Sequence, residues 1–155
     1  MDANKQQRAS QYESYIMDWF YNVKAINLSH YHLKEEQIHK GENRQGIEIK
    51  NDQSLKKTGN VFISTKRIYN YNGKVVEHSS GIYKDQSWMY VIGDKCEHWV
   101  FSTKLLKQYF EKYNPELKSG FVSQKKGTEW GFLLSREQAD KICIDKYKAQ
   151  QELVL

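Results

Sequence analysis

The chain has 155 residues, which is enough for one domain with a buried core. Its net charge of +5 suits a polyanionic partner and argues against a strongly acidic protein that mimics DNA. No apolar stretch reaches the length of a membrane span, and the polar N-terminus lacks the apolar part of a signal peptide, so we expect a soluble cytoplasmic protein with no membrane partner.

The first predicted element is an amphipathic helix that runs from Ser10 to a C-terminus near Ala25. Its apolar positions recur at helical spacing and are Tyr12, Tyr15, Ile16, Trp19, Phe20 and Val23. Such an aromatic stripe is typical of a helix that packs on a core. Residues 1–9 are predicted to be frayed or weakly helical.

The segment Gly46 to Asp52 alternates apolar and polar residues and predicts a short β-strand. Ile47 and Ile49 would face a core, while Glu48, Lys50 and Asp52 share the opposite face. This row is consistent with an ordinary solvated strand face. It also has the groups that metal-assisted phosphodiester cleavage needs, since carboxylates hold hard divalent cations and a lysine meets developing negative charge.

The remaining elements are predicted from turn, cap and periodicity signals. Residues 53–57 read as a loop, and Asn72-Gly73 predicts a hairpin between strands 61–69 and 74–78. Further strands are predicted at 88–92, 97–101, 120–123 and 130–134. A helix is predicted at 103–113, with Ser102 as its N-cap, Asn114-Pro115 at its end, and Leu105, Leu106, Tyr109 and Phe110 on its apolar face. A last helix is predicted from Ser135, which has capping-box form with Gln138, to about Gln150. The order predicts one α+β (mixed α/β) domain with a central sheet flanked by helices.

Cysteine usage gives no sign of a disulfide framework or a zinc site. Cys96 and Cys143 are too few and too far apart for either, so two free thiols in a reducing compartment are predicted.

Several short motifs resemble those of small bacterial and phage proteins in the PD-(D/E)xK nuclease superfamily. In chain order they are Lys40-Gly41-Glu42, Gly46 to Lys50 with Asp52, Thr58-Gly59-Asn60, Ser80-Gly81-Ile82-Tyr83 and Tyr90-Val91-Ile92-Gly93. The resemblance extends from about Tyr12 to about Ala139. It implies a restriction-endonuclease-like core and a Mg²⁺- or Mn²⁺-dependent endonuclease that cleaves nucleic acid, with DNA as the expected substrate.

The resemblance also implies roles for individual residues. Glu42 and Glu48 would be metal ligands, with the backbone carbonyl of Ile49 as a third oxygen and Asp52 holding the metal or orienting Lys50. Lys50 would orient the attacking water and stabilise charge on the phosphorus oxygens. Contacts to backbone phosphates are expected from four further lysines: Lys56, Lys57, Lys125 and Lys126.

Two departures from the superfamily pattern leave alternatives open. The first acid is usually Asp but is Glu42 here, and the strand after Asn60 ends in Ile63-Ser64 where related proteins often have Ile-Glu. One alternative is therefore a catalytically inactive nuclease fold that binds nucleic acid, or that acts as an inhibitor or adaptor of a host protein. A homodimer is left open, as is a purely structural surface pair of Glu48 and Lys50.

Overall fold

The structure is a computed structural model that describes residues 3–30, 43–84, 86–123 and 127–149. The helices in these ranges are α1 (Ala3–Lys24), α2 (Leu55–Thr58), α3 (Thr103–Tyr113) and α4 (Arg136–Ile142), with a 3-10 turn at Gly81–Tyr83. Across the described ranges, no helix has the length and apolar character needed to cross a membrane.

The strands form two four-stranded sheets, and together with the helices they confirm the α+β class. The first sheet has the order β1 (Ile47–Asn51), β4 (Met89–Gly93), β5 (Glu97–Ser102), β8 (Asp145–Lys148). The second has the order β3 (Lys74–Ser79), β2 (Asn60–Tyr71), β7 (Gly127–Ser135), β6 (Lys118–Ser123). Strands β1 and β4 are parallel, and every other pair is antiparallel.

Helix α1 packs on one face of the first sheet. Its buried residues Tyr12, Ile16 and Phe20 contact a cluster that includes Ile47 and Ile49 of β1. The predicted stripe is thus confirmed as core from Tyr12 to Phe20, but Val23, predicted on the same face, is 60% exposed near the end of the helix. The helix begins at Ala3, so residues 3–9 belong to it rather than forming a frayed end.

The opposite face of the first sheet packs against the second sheet. Because side chains alternate along a strand, this face carries Tyr90 and Ile92 of β4 and Trp99 of β5. They meet apolar side chains of the second sheet, namely Val61, Ile63, Phe132 and Leu134. The molecule therefore has three layers, α1, the first sheet and the second sheet, with β1 at an edge between two cores.

Helix α3 confirms the predicted cap and end. The Ser102 hydroxyl accepts from the Leu105 N–H at 3.4 Å, and Asn114 ends the helix in the left-handed region with φ 42°. Leu106 is fully buried between the sheets. Leu105, which was predicted on the apolar face, is instead 41% exposed, because the buried face is centred on Leu106 and Phe110.

The last helix is shorter than predicted. Ser135 and Gln138 form the expected capping box, but α4 ends at Ile142 rather than near Gln150. The chain then forms β8, which pairs with β5. Tyr147 of this strand stacks on His98 with ring centroids 5.3 Å apart. This contact between distant segments favours a strand at 145–148, although the spacing of residues in the sequence predicted that the helix would continue.

The Asn72-Gly73 turn confirms the predicted hairpin. Asn72 has φ 49° and Gly73 has φ 76°, the positive values that a two-residue turn between β2 and β3 requires. Both cysteines are free thiols, as predicted.

His98 is a buried histidine between α1 and the first sheet. It is fully buried and lies edge-on to Trp19 with centroids 4.6 Å apart, and within the described part of the chain neither ring nitrogen has a hydrogen-bond partner. Burial lowers the pKa of His98 to about 4, although the carboxylates of Asp145 and Asp94 oppose this shift.

This burial predicts a loss of stability in mild acid. The unfolded chain binds a proton at His98 near pH 6.5, whereas the folded protein does so only near pH 4. Neutral His98 therefore contributes its full share of the free energy of unfolding above pH 6.5. This contribution falls by about 3 kcal/mol as the pH drops to about 4. Denaturant unfolding at several pH values measures this.

The variant His98→Phe should lose this component of the pH profile, because phenylalanine keeps an aromatic ring but does not titrate. His78→Phe is the matched control, since His78 lies exposed on β3 and stacks on Tyr69. If His98→Phe and the wild type have the same profile between pH 4 and 6.5, the account of His98 is wrong.

Candidate functional site

Strand β1 has the geometry predicted from its alternation. Ile47 and Ile49 are each 3% exposed and face α1. Glu48 is in register with Tyr90, and Lys50 with Ile92, so both project toward the second sheet. The structure therefore brings the predicted carboxylate and lysine together on one side of an edge strand.

A buried asparagine sets the start of this strand. Asn43 is fully buried, and its side-chain N–H donates to the Ile47 carbonyl at 2.7 Å. Its Oδ1 accepts from the backbone N–H groups of Gln45 and Ile47, each at 3.1 Å. Because these bonds fix the turn before β1, they determine where the strand begins and so where Glu48 lies. The sequence analysis missed Asn43, which lies between Glu42 and the strand and has no periodicity signal.

Glu48 and Lys50 form an ion pair between Oε1 and Nζ. The Glu48 side chain is only 8% exposed, whereas that of Lys50 is 52% exposed. The pair is thus not an ordinary surface pair, because its carboxylate is removed from water. The buried carboxylate holds the lysine, and the ammonium group points into an open cleft.

The cleft lies between the two sheets and has a volume of about 720 Å³. Its first wall is the end of β1 with Lys50, Asn51 and Asp52. The facing wall comes from the second sheet and includes Ser64 of β2 and Glu129 of β7. A cleft of this size, with charged groups on both walls and apolar side chains at its floor, has the composition of a ligand site.

Glu129 is a second carboxylate of the cleft, and the sequence analysis did not identify it. Its Oε2 accepts from the Ser64 hydroxyl at 2.7 Å, and its Oε1 accepts from the Ser80 hydroxyl at 2.8 Å. Arg67 also pairs with Oε1 at 2.5 Å. The carboxylate therefore lies beside Ser64 and Ser80 in the wall of the cleft. Its partners are far apart in sequence, so no local pattern indicates it.

A close approach of two segments supports this wall. Gly81 has φ +53°, and a Cβ there would lie 2.1 Å from the Ser64 carbonyl oxygen. Strand β2 also has an irregular register between Ser64 and Lys66. Glycine therefore allows the 3-10 turn to press against β2 and bring Ser80 to Glu129.

Asp52, which was predicted to hold the metal or orient Lys50, accepts hydrogen bonds through both carboxylate oxygens. Its Oδ1 accepts from the backbone N–H and the hydroxyl of Ser54, at 3.1 and 2.7 Å. Its Oδ2 accepts from the Phe62 N–H at 3.0 Å. These bonds link the end of β1 to β2, and the metal role of Asp52 stays a prediction. Ile49, whose carbonyl was a predicted ligand, lies between Glu48 and Lys50 on β1.

The predicted phosphate contacts fall into two groups. Lys56 and Lys57 are exposed on α2, a short helix that replaces the predicted loop because Leu55 is buried in the core between the sheets. Lys118, which was not predicted, lines the cleft. The predictions for Glu42, Lys125 and Lys126 lie outside the described residues.

The described residues do not by themselves form a divalent-cation site. Among them, no three His, Cys, Asp or Glu side chains converge as metal ligands. Glu48, beside the cleft, pairs with Lys50, and Glu129, in the cleft wall, pairs with Arg67, so these two carboxylates already have cationic partners. Hard cations need several oxygen ligands, and the described part of the chain offers too few at one point.

Comparison with protein families, with curated proteins and with solved structures finds no match to this chain.

Proposed function

We propose that the cleft binds nucleic acid and cleaves its phosphodiester bonds, as a metal-dependent nuclease whose substrate is DNA. The single observation that carries this proposal is the pairing of buried Glu48 with cleft-facing Lys50 on one edge strand. A buried carboxylate fixes the position of the ammonium group, and a positioned cation is what a phosphoryl centre requires as charge develops.

Lys50 is the residue that would act on the substrate. Its ammonium group donates to the non-bridging phosphate oxygens, whose negative charge grows in the transition state. Glu48 pairs with the ammonium group and limits its rotation. The cleft walls supply the remaining orientation, because they restrict where a phosphate group can approach Lys50.

A bound Mg²⁺ or Mn²⁺ would polarise a phosphate oxygen and activate a water molecule. Of the predicted ligands, Glu48 is placed beside the cleft, Asp52 is occupied by hydrogen bonds, and Glu42 is outside the described residues.

The second candidate is a nucleic-acid-binding protein of the same architecture that does not cleave. It is favoured by one observation, that no group of three metal-ligating side chains converges within the described residues. In that case, Lys50 would contact a backbone phosphate without chemistry. Metal-dependent cleavage of the nucleic acid distinguishes the two candidates.

Nucleic-acid binding itself should depend steeply on salt. Each phosphate that a lysine neutralises releases counterions, so the logarithm of the affinity falls linearly with the logarithm of the salt concentration. Replacing both Lys56 and Lys57 with alanine should reduce this slope by about one to two. Fluorescence anisotropy with a labelled oligonucleotide between about 50 and 200 mM salt measures it.

A control variant removes the same number of charges elsewhere. Lys66 pairs with Glu77 and Lys141 pairs with Glu137, and neither lysine lines the cleft. The double alanine variant at Lys66 and Lys141 should keep the wild-type slope. Affinity that is independent of salt, or no binding at low salt, would contradict a nucleic-acid partner.

A further inference from the structure

A second cavity lies on the other side of the wall that ends β1. Its volume is about 360 Å³, and we name it the Tyr12 pocket after the buried residue that lines it together with Arg8, Lys56, Asp94 and Lys95. It shares Asn51, Asp52 and Gln53 with the cleft. The two cavities therefore lie on either side of the segment that follows β1.

Tyr12 brings an unpartnered hydroxyl to this pocket. The residue is 1% exposed, and its hydroxyl has no hydrogen-bond partner among the residues that the structure describes. Burial, reinforced by the carboxylate of Asp94, raises the pKa of Tyr12, so the phenol keeps its proton and remains a donor. A buried donor without an acceptor is unfavourable in the free protein, and an acceptor ligand would relieve that cost.

Three cations converge on the pocket from different segments. Arg8 lies one helical turn before Tyr12 on α1, so the two residues share a face. Lys56 is on α2. Lys95 lies in the turn between β4 and β5. All three are exposed, and within the described residues none of them forms an ion pair with a carboxylate.

The two carboxylates of the pocket, Asp52 and Asp94, already accept hydrogen bonds from neighbouring groups of the protein. Asp52 bonds to Ser54 and Phe62 through both oxygens. Asp94 Oδ1 accepts from the N–H groups of Cys96 and Glu97, at 2.8 and 3.0 Å. The three cations therefore exceed the two carboxylates by one charge. The donors that line the pocket are these cationic groups, the side-chain amides of Gln11, Asn51 and Gln53, and the residue Tyr12 with its hydroxyl.

We propose that the Tyr12 pocket binds a phosphate group of a nucleic-acid strand, with Arg8, Lys56 and Lys95 supplying charge and the Tyr12 hydroxyl donating a hydrogen bond. Phosphate matches this donor set because it accepts several charge-assisted hydrogen bonds at once. The nucleic-acid source of the phosphate rests on the proposed function, whereas the phosphate chemistry does not. The source is either a terminal phosphate monoester or a backbone phosphodiester next to the one at Lys50.

Thermal unfolding of the whole chain in inorganic phosphate, against sodium chloride of equal ionic strength and without metal, tests the chemistry. The wild-type Tm should rise with phosphate concentration by mass action. Arg8→Gln and Lys95→Gln should each weaken phosphate binding about ten-fold, since each removes a charged donor.

Tyr12→Phe is the sharpest variant, because it removes only the hydroxyl. Its Tm without phosphate should equal or exceed that of the wild type, since an unpartnered buried group is lost, while its response to phosphate should weaken about ten-fold. Tyr21→Phe is the matched control, because Tyr21 lies on the same helix with its side chain 64% exposed, and its response should be unchanged. Phosphate also stabilises proteins by exclusion from their surface. Exclusion raises the Tm of every variant alike. If Arg8→Gln, Lys95→Gln and Tyr12→Phe respond to phosphate as the control Tyr21→Phe does, the proposed phosphate site is wrong.

Oligonucleotide binding in EDTA distinguishes the two sources. A preference for a 5′- or 3′-phosphorylated strand over its hydroxyl form, lost in Tyr12→Phe, would support the terminal phosphate. Equal binding of both forms, weakened in Tyr12→Phe, would support the backbone phosphate. Binding that Tyr12→Phe leaves unchanged would overturn the assignment to nucleic acid. If inorganic phosphate binds but no oligonucleotide does, the pocket stands and the proposed function fails.

Discussion

Replacing Lys50 with glutamine should lower the rate constant for phosphodiester cleavage by about 100- to 1000-fold, the effect expected when one preorganised donor to a developing oxyanion is lost. Glutamine keeps a hydrogen-bond donor near the buried Glu48 carboxylate but removes the positive charge. We therefore expect kcat to fall while the affinity for nucleic acid changes little. Single-turnover cleavage with excess enzyme measures the chemical step.

Lys118 provides the matched control for this variant. Its side chain is 51% exposed, close to the 52% of Lys50, and it also lines the cleft. It pairs with Glu116 rather than with a buried carboxylate, so nothing positions it in the same way. Lys118→Gln should leave kcat within a few-fold of the wild type. Equal losses of kcat in both variants would show that Lys50 contributes only general positive charge.

Replacing Trp99 with alanine should reduce the free energy of unfolding by about 3–5 kcal/mol, the usual cost of deleting a large aromatic side chain from a core. Trp99 is fully buried between the sheets. Its indole N–H donates to Asp140 Oδ1 at 2.8 Å, which ties β5 to α4. Denaturant unfolding should show a lower midpoint.

Trp88→Ala is the control for the loss of a tryptophan side chain. Trp88 precedes β4 and is 58% exposed, and its indole N–H donates to the Gln45 carbonyl at 2.6 Å. Its removal should cost about 1 kcal/mol, the value of one net hydrogen bond. Similar losses at Trp99 and Trp88 would contradict the assignment of the core between the sheets.

Local signals predicted much of the fold because they depend on nearby residues. Alternation identified β1, the Asn72-Gly73 pair identified the β2–β3 turn, and Ser102 identified the start of α3. Each of these features is formed within a few residues, where propensity and capping act. The same signals overextended α4, because the stacking of Tyr147 on His98 is a contact between distant segments.

The site could be predicted only in part for the same reason. The period of β1 indicated that Glu48 and Lys50 share a face, but the burial of Glu48 depends on the second sheet lying over it. Glu129 meets Ser64 across 65 positions and Ser80 across 49, so its role depends on how β7 pairs and where the 3-10 turn folds. Such contacts are set by the topology and leave no spacing in the sequence.

The most direct test of the central claim, that the Glu48–Lys50 cleft cleaves nucleic acid, is a cleavage assay on single-stranded, double-stranded and branched DNA and on RNA, with Mg²⁺, Mn²⁺ or EDTA. Wild-type protein should cleave at least one DNA substrate with Mg²⁺ or Mn²⁺ and none with EDTA. Glu48→Gln should be inactive at equal folded concentration, because it loses the carboxylate charge. Cleavage that persists in Glu48→Gln, or a wild-type protein that binds DNA and cuts no substrate with either metal, would contradict the claim.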